Sequence, residues 1–314
     1  MIIDTHSHLS FKAYDEDRDK VIKRTQENGI ICIDVGTKFE TSQKAVELAD
    51  NNSGIFATVG LHPFHIKTDL LKIKTNEDEG NFQTLGEEFD IKKYKELVYP
   101  HTKVSAETSG VGARLKKVVA IGEIGLDYYY KPKTKARLEQ FKEKQKQVFL
   151  QQLDLARELN LPVILHCRMA HEDLLKILGD QIVPPQRDPA EGGTVSYKEI
   201  KGVIHCFTGG IKELEQYLNL GFYIGFNGII FSALGGSASG GKLPLDEVIK
   251  KCPLDKILVE TDCPYLTPPK EGKDNRNEPV FIKHIIQKIA DLKGISFNEV
   301  AQKTTQNAQE LFKI

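Results

Sequence analysis

Eight short apolar runs recur along the chain and alternate with longer amphipathic segments. Each run is continuously hydrophobic and rich in β-branched residues, which is typical of strands buried on both faces of a parallel sheet. The runs cover residues 2–4, 30–35, 56–61, 118–124, 163–166, 203–206, 222–226 and 257–261. The main helical patterns cover residues 16–28, 41–51, 134–160, 171–178, 212–220, 246–251, 278–292 and 296–312.

A strand followed by a helix, repeated around the chain, predicts an α/β fold of the (β/α)8 TIM-barrel type. A doubly wound open sheet is the alternative, but no glycine-rich dinucleotide fingerprint follows the first run. We expect one barrel domain over residues 1–314, with insertions at about 63–117 and 181–200. The first insertion leaves a strand end and is expected to form a lid or substrate wall. The glycine-rich segment 228–242 is either a mobile flap or an idle loop.

Metal-competent side chains stand at the ends of six of the eight runs. In a barrel these ends, with the loops after them, build the active site. A lone histidine is usually a packed or surface residue, but five of the nine histidines occupy these positions, which favours a metal site. The side chains are His6, His8, His62, Glu123, His166, His205 and Asp262.

Four of these histidines with two carboxylates exceed what one zinc ion takes and suit two divalent ions about 3.5–4 Å apart. Glu123, on a mid-barrel strand, is the expected bridge, because a carboxylate can offer one oxygen to each ion. The remaining ligands divide into His6, His8 and Asp262 for one ion, and His166 and His205 for the other. Mixed nitrogen and oxygen donors leave Mg²⁺, Mn²⁺ and Zn²⁺ open. The expected chemistry is metal-assisted hydrolysis, with Asp262 accepting the proton of the attacking water.

The charge balance restricts the partners. A net charge of −1 excludes broad electrostatic adhesion to DNA or anionic membranes. A nucleic acid can then be held only locally, at an end or by metal ions. No apolar stretch near 18 residues and no secretory pattern is present, and five cysteines lack a C-x-x-C spacing. We expect a cytoplasmic monomer with reduced thiols; Cys167, Cys206 and Cys263 follow ligand positions but are expected to pack rather than bind metal.

Seven motifs, in order along the chain, resemble the TatD-like deoxyribonucleases. They are Asp4-Thr-His-Ser-His8, Gly60-Leu-His-Pro63, Gly122-Glu-Ile-Gly-Leu-Asp127, His166-Cys-Arg168, His205-Cys-Phe-Thr-Gly209, Glu260-Thr-Asp-Cys-Pro-Tyr-Leu266 and Arg276-Asn-Glu-Pro279. The resemblance implies a barrel of the metal-dependent hydrolase superfamily with a dinuclear Mg²⁺, Mn²⁺ or Zn²⁺ site. It also implies hydrolysis of DNA phosphodiesters, often from the 3′ end, in a DNA-repair setting.

The resemblance implies the same six metal ligands that the strand ends indicate. It also implies that His62 contacts the scissile phosphate and acts in catalysis beside Glu123 and Asp262. Two positions depart from the family pattern. Many members read His-Pro-His after the third strand, where this chain has Phe64 before His65, and Met169 stands where many have an acidic or amide residue.

Two arginines are candidate substrate-binding residues. Arg168 follows His166 by two residues and can clamp a phosphate, or it can form an ion pair with Asp127 or Glu172. Arg276 lies in the loop after the eighth run, on the expected active face.

Three functions remain open from the sequence. The leading hypothesis is a metal-dependent DNase, a 3′–5′ exonuclease that binds single strands or strand ends. The second is an ester or amide hydrolase, such as an aminoacyl-tRNA deacylase, on the same dinuclear site. The third is a metal-dependent nucleic-acid binder without catalysis, against which the presence of Asp262 beside a full ligand set argues.

Overall fold

The computed structural model describes residues 1–70, 86–99, 117–182, 199–232, 245–272 and 275–314. Within these ranges the strands are β1 (Ile2–Ser7), β2 (Ile30–Val35), β3 (Ile55–Val59), β4 (Val118–Asp127), β5 (Val163–Arg168), β6 (Gly202–Ile204), β7 (Tyr223–Phe226) and β8 (Ile257–Val259). The α-helices are α1 (Arg18–Glu27), α2 (Phe39–Asn51), α3 (Ile91–Val98), α4 (Lys135–Leu159), α5 (His171–Ile182), α6 (Ile211–Asn219), α7 (Leu245–Lys251), α8 (Ile282–Lys293) and α9 (Phe297–Phe312).

The eight strands pair in parallel and in chain order from β1 to β8. The ring closes where the chain leaves β8. The Asp262 N–H donates to His6 O at 2.8 Å, and the His8 N–H donates to Cys263 O at 2.9 Å. The (β/α)8 prediction is therefore confirmed, and the open-sheet alternative is wrong.

Alternation along the strands separates an apolar floor from the polar end of the barrel. Ile164 and Val203 belong to a buried cluster with members on seven strands, which fills the barrel interior. His166 lies two residues further along β5, and His205 lies two residues after Val203, directly past the end of β6, so both point to that face at the carboxyl end. Leu311 and Phe312 of α9 join the same cluster and close its opposite end. The second, larger apolar cluster packs the outer face of the sheet against the helices.

The predicted strands and helices all occur, with shifted ends, while α3 was not predicted. It lies inside the insertion expected at 63–117, of which 71–85 and 100–116 are outside the described residues. The insertion at 181–200 is described only at its edges. In the proposed flap, residues 228–232 are described and begin with a short 3-10 turn at Gly228–Phe231, whereas 233–242 are not. Among the described helices, none has the length and hydrophobicity to cross a membrane.

Candidate active site

Glu123 lies at the centre of the polar cluster and is 4% exposed. Its two carboxylate oxygens face different imidazoles. Oε2 is 3.4 Å from His6 Nε2. Oε1 is 2.7 Å from His166 Nδ1, 3.5 Å from His62 Nε2 and 3.7 Å from His205 Nε2. The Glu123 carboxylate therefore lies between His6 on one side and His166 on the other.

The first group of possible metal donors combines side chains from the start of the barrel, at β1, with one from its end, after β8. His6 Nε2 and His8 Nε2 are 3.2 Å apart, and Asp262 Oδ1 lies 3.7 Å and 3.4 Å from them. His8 Nδ1 is 2.8 Å from Val35 O, and only a protonated nitrogen can bond to a carbonyl oxygen. The neutral His8 ring therefore carries its proton on Nδ1 and keeps a lone pair on Nε2, which faces the group.

The second group is organised by carboxylates around two imidazoles. Besides Glu123, His166 contacts Asp127, with Nε2 and Oδ2 3.1 Å apart. Burial opposes the charged form of His166, but Asp127 and Glu123 overcome this effect and raise its pKa to about 9. His205 Nδ1 lies 2.9 Å from Glu260 Oε1. Burial again opposes the charge, while Glu260 and Glu123 raise the pKa of His205 to about 10.

The two central carboxylates stay anionic in spite of burial. Desolvation alone would raise the pKa of Glu123, yet the surrounding histidines hold it well below its usual value. Desolvation is likewise outweighed at Asp262, mainly by His205 and His8, so that its pKa is lowered. Buried anions encircled by imidazole nitrogens fit divalent cations, which can take the place of protons on the histidines.

His62 differs in its protonation from His166 and His205, whose pKa values are raised. Burial and the neighbouring His166 lower its pKa to about 3, so the ring is neutral at pH 7. Its Nδ1 accepts the Phe64 N–H at 3.0 Å and therefore has no proton. The proton must lie on Nε2, which faces Glu123. A nitrogen that carries a proton is a hydrogen-bond donor and not a metal ligand, although His62 lies within ligand distance of Glu123 and His166.

Backbone conformation fixes where Asp262 points. Asp262 has φ of +58°, a left-handed conformation that costs non-glycine residues free energy. The conformation is held on both sides by backbone hydrogen bonds, from Asp262 N–H to His6 O at 2.8 Å and from Tyr265 N–H to Asp262 O at 2.9 Å. Buried Asn277 also donates to Tyr265 O, at 2.6 Å. The turn after β8 is thus built to direct this carboxylate to the histidines.

The polar cluster around Glu123 lines the bottom of a cavity of about 600 Å³. Among the described residues that line it, Arg168 is the only lysine or arginine. The Arg168 guanidinium carbon lies 3.6 Å from the centre of the Tyr129 ring, a cation–π contact. The described side chains show no ion pair from Arg168 to Asp127 or Glu172. The arginine is therefore placed at the cavity, as its proposed substrate role requires.

A family model described as TatD related DNase matches residues 3–313 of this chain. The chain belongs to the TatD family. Its relatives include the protein called uncharacterized metal-dependent hydrolase YabD from Bacillus subtilis, 35% identical with all of both chains covered. The 3′-5′ ssDNA/RNA exonuclease TatD from Erwinia amylovora is 34% identical, with 99% of each chain covered. Among solved structures, the TatD homologue YjjV from Escherichia coli K12 superimposes with a TM-score of 0.73 at 26% identity, covering 100% of this chain and 98% of that one.

This TatD-family chain is thus a metal-dependent hydrolase of a nuclease family, as the motifs predicted. The resemblance to the family is confirmed over the whole barrel and not only at the motifs. The number and identity of the metals, and the role of each ligand, remain proposals.

Two supporting residues of the TatD site were missed at the sequence level. Asp127 contacts His166, and buried Glu260 contacts His205. Each lies close in sequence to a predicted ligand: Asp127 follows Glu123 by four residues on β4, and Glu260 precedes Asp262 by two just after β8. Even spacing from a ligand at the carboxyl end of a strand is the signal that would have indicated them in the sequence.

Arg276 is held away from the TatD-family cavity, contrary to the position expected for a substrate-binding residue. Its Nη1 and Nη2 each lie 2.8 Å from an oxygen of Asp17, and the guanidinium carbon lies 4.2 Å from the centre of the Tyr14 ring. Nη1 also donates to Ala13 O at 2.6 Å. These contacts tie the loop after β8 to the start of α1, which supports a structural role.

The cysteines beside the ligands pack as expected in two of three cases. Cys167 and Cys263 are buried, and burial raises the pKa of the Cys167 thiol to about 12. Cys206 is half-buried, with Sγ 3.5 Å from Asn227 Oδ1. It also lies close enough to His205 and Asp262 to share an ion with them, so packing alone does not describe it.

Proposed function

We propose that this TatD-family enzyme removes nucleotides from the 3′ end of single-stranded DNA with two divalent ions, Mg²⁺, Mn²⁺ or Zn²⁺. The observation that carries the proposal is the position of Glu123. One of its oxygens faces His6 and the other faces His166, so one carboxylate can serve two cations. The name of the Erwinia amylovora relative, a 3′-5′ ssDNA/RNA exonuclease, supports the polarity and the substrate.

Six side chains would hold the ions. Glu123 would be shared, and the others are His6, His8 and Asp262 on one side and His166 and His205 on the other. Bound divalent ions supply Lewis-acid activation of water and neutralise the negative charge of the phosphate. The protein contributes rigid donors at the carboxyl ends of strands, where a barrel presents its catalytic groups.

Three side chains act directly on the substrate. Asp262 is anionic and lines the cavity, so it can accept the proton of the attacking water. His62 presents a neutral Nε2–H donor, which suits a phosphate oxygen. Arg168 supplies the positive charge above the floor of the cavity and can bond a second phosphate oxygen.

The charge distribution supports binding at strand ends. A chain of net charge −1 with one arginine among the described cavity residues can neutralise few phosphates. Its affinity for DNA should therefore fall only gently with salt. We infer that it acts as a monomer in the cytoplasm; the five cysteines, all free, agree with a reducing compartment.

Single-stranded DNA labelled at either end and incubated with each metal tests the proposal. We expect stepwise shortening from the 3′ end, lowered at least about 100-fold by Glu123→Ala and by Asp262→Ala. Glu215→Ala, a change at an exposed position of α6, is the matched control and should keep full activity. Intact DNA beside cleavage of an aminoacyl-tRNA ester would contradict the proposal and favour the acyl hydrolase.

A further inference from the structure

Three aromatic side chains stand together beside the active-site cavity, and two of them, Phe64 and Tyr130, line it. We call Phe64, Tyr129 and Tyr130 the aromatic wall. Tyr129 is 43% and Tyr130 is 49% exposed, unlike the large aromatic residues of the core. The ring centres of Phe64 and Tyr130 are 5.6 Å apart, and those of Tyr129 and Tyr130 are 4.8 Å apart, both in edge-to-face arrangements. Neighbouring exposed aromatic rings are typical of a binding surface.

The aromatic wall is adjacent to the residues proposed to act on the phosphate. Phe64 follows His62 by two residues, and their ring centres are 6.3 Å apart. The Phe64 N–H donates to His62 Nδ1, so the backbone that carries this ring also fixes the His62 donor. Phe64 and Tyr130 line the same cavity as Glu123. A phosphodiester held at His62 therefore brings a neighbouring nucleobase to the wall.

The members of the wall have different neighbours. Tyr129 is stacked against the Arg168 guanidinium, 3.6 Å from its ring centre. Tyr130 is 5.9 Å from the same guanidinium carbon and retains about half of its surface accessible to solvent. Tyr129 thus orients the arginine, while Tyr130 and Phe64 leave apolar surface open toward the cavity.

We propose that Phe64 and Tyr130 form a base-stacking subsite for an unpaired nucleobase beside the scissile bond. The inference rests on the proposed function and adds a reason for selecting single strands. Stacking on an aromatic ring works for every base, because each base has a π face, and it does not need a lysine or arginine. A base within a duplex end is paired and stacked on its neighbour, so it must be released before it can occupy the subsite.

The test compares single-stranded oligonucleotides that carry an abasic residue at the terminal or the next 3′ position with the same sequence bearing all its bases. For the wild-type enzyme, we expect the abasic residue at one of these positions to raise KM about tenfold. Phe64→Ala and Tyr130→Ala should raise KM for the normal strand by a similar factor and leave KM for that abasic strand unchanged. Tyr130→Phe keeps the ring and should behave as wild type.

The possible results of this experiment distinguish failure of the base-stacking subsite from failure of the proposed function. Equal KM for normal and abasic strands with the wild-type enzyme overturns the subsite but leaves the exonuclease proposal intact. Loss of activity of the alanine variants on abasic strands as well would show that the rings only support the fold, and would also overturn it. Failure of the wild-type enzyme to cleave any DNA with Mg²⁺, Mn²⁺ or Zn²⁺ would overturn the proposed function, and the subsite with it.

Discussion

At the residue scale, the partner of one imidazole nitrogen decides whether the other nitrogen offers a proton or a lone pair to the site. Glu260 illustrates this for His205. It is fully buried, and its Oε1 accepts the Cys206 N–H at 2.6 Å while lying 2.9 Å from His205 Nδ1. A carboxylate in this position orients a ligand histidine and increases its basicity. Glu260 is therefore a positioning residue that acts through His205.

Glu260→Gln should weaken metal binding while keeping the shape of the side chain. The amide removes the negative charge beside His205 Nδ1 but can still accept the Cys206 N–H. Loss of such a supporting contact lowers metal affinity by about 10–100-fold. Titration of the metal-free protein with Mn²⁺ by calorimetry measures the change, with Glu215→Gln as a control on the surface of α6. Unaltered Mn²⁺ affinity would show that Glu260 serves packing alone.

The side chains that gather at the site were predictable from the sequence, whereas their protonation was not. His166 and Asp262 could be nominated because strand ends converge in a barrel. Nothing in the sequence shows that His62 Nδ1 meets the Phe64 N–H, or that His8 Nδ1 meets Val35 O. These contacts depend on local turn geometry and on pairing between distant strands. They nevertheless leave a proton on Nε2 of His62 and a lone pair on Nε2 of His8, the difference on which the roles proposed for these two residues depend.

At the element scale, the close pairing of β4 with β5 places two carboxylates around one histidine. Gly125 pairs with His166 in register and has φ of +141°. A Cβ atom at this position would lie 2.1 Å from His166 O, which is backbone and cannot move aside cheaply. Glycine is therefore required for β4 to approach β5 this closely. The close approach in turn lets Glu123 and Asp127, two residues to either side of Gly125, both reach the His166 ring.

Gly125→Ala and Gly29→Ala provide a matched pair of stability measurements. Gly29 also has a positive φ, +67°, but nothing lies within 4 Å of its would-be Cβ. Gly29→Ala should cost only the left-handed strain, about 1 kcal/mol of unfolding free energy. Gly125→Ala adds a backbone clash and should cost more than about 3 kcal/mol. Urea denaturation measures both values, and similar losses would contradict the argument for β4 and β5.

Among the helices that the structure describes, α3 alone is absent from the sequence prediction and shows where pattern recognition fails. α3 has only two turns, so its buried residues, Tyr94 and Val98, provide a single helical repeat. Asp90 does cap it, accepting the Lys92 N–H at 3.0 Å, but a lone aspartate is weak support for a helix. Longer segments such as α4 repeat the pattern over many turns. Length alone does not explain the difference, because α7, with 7 residues, is shorter than α3, with 8, and was predicted.

At the scale of the whole molecule, the site joins residues that are far apart in the chain. His6 lies on the first strand and Asp262 follows the last one, and they meet beside Glu123 from the middle of the sheet. Ions held by these groups would cross-link the ring where β1 meets the segment after β8. Since the unfolded chain cannot assemble the same donors, metal binding should stabilise the entire barrel.

Removal of metal should therefore lower the melting temperature of the whole domain. At a free Mn²⁺ concentration of 100 times Kd, binding at one site adds about 2.7 kcal/mol, which for a domain of 314 residues corresponds to a rise in Tm of about 4 °C. Calorimetry of chelated protein, before and after Mn²⁺ is restored, measures the shift. Glu123→Gln should remove most of it, because each proposed ion loses its shared anion, whereas Glu215→Gln should keep it. If Glu123→Gln showed the full shift and bound as many ions per chain as wild type, Glu123 would not be the bridge, and the two donor groups would have to bind their ions independently.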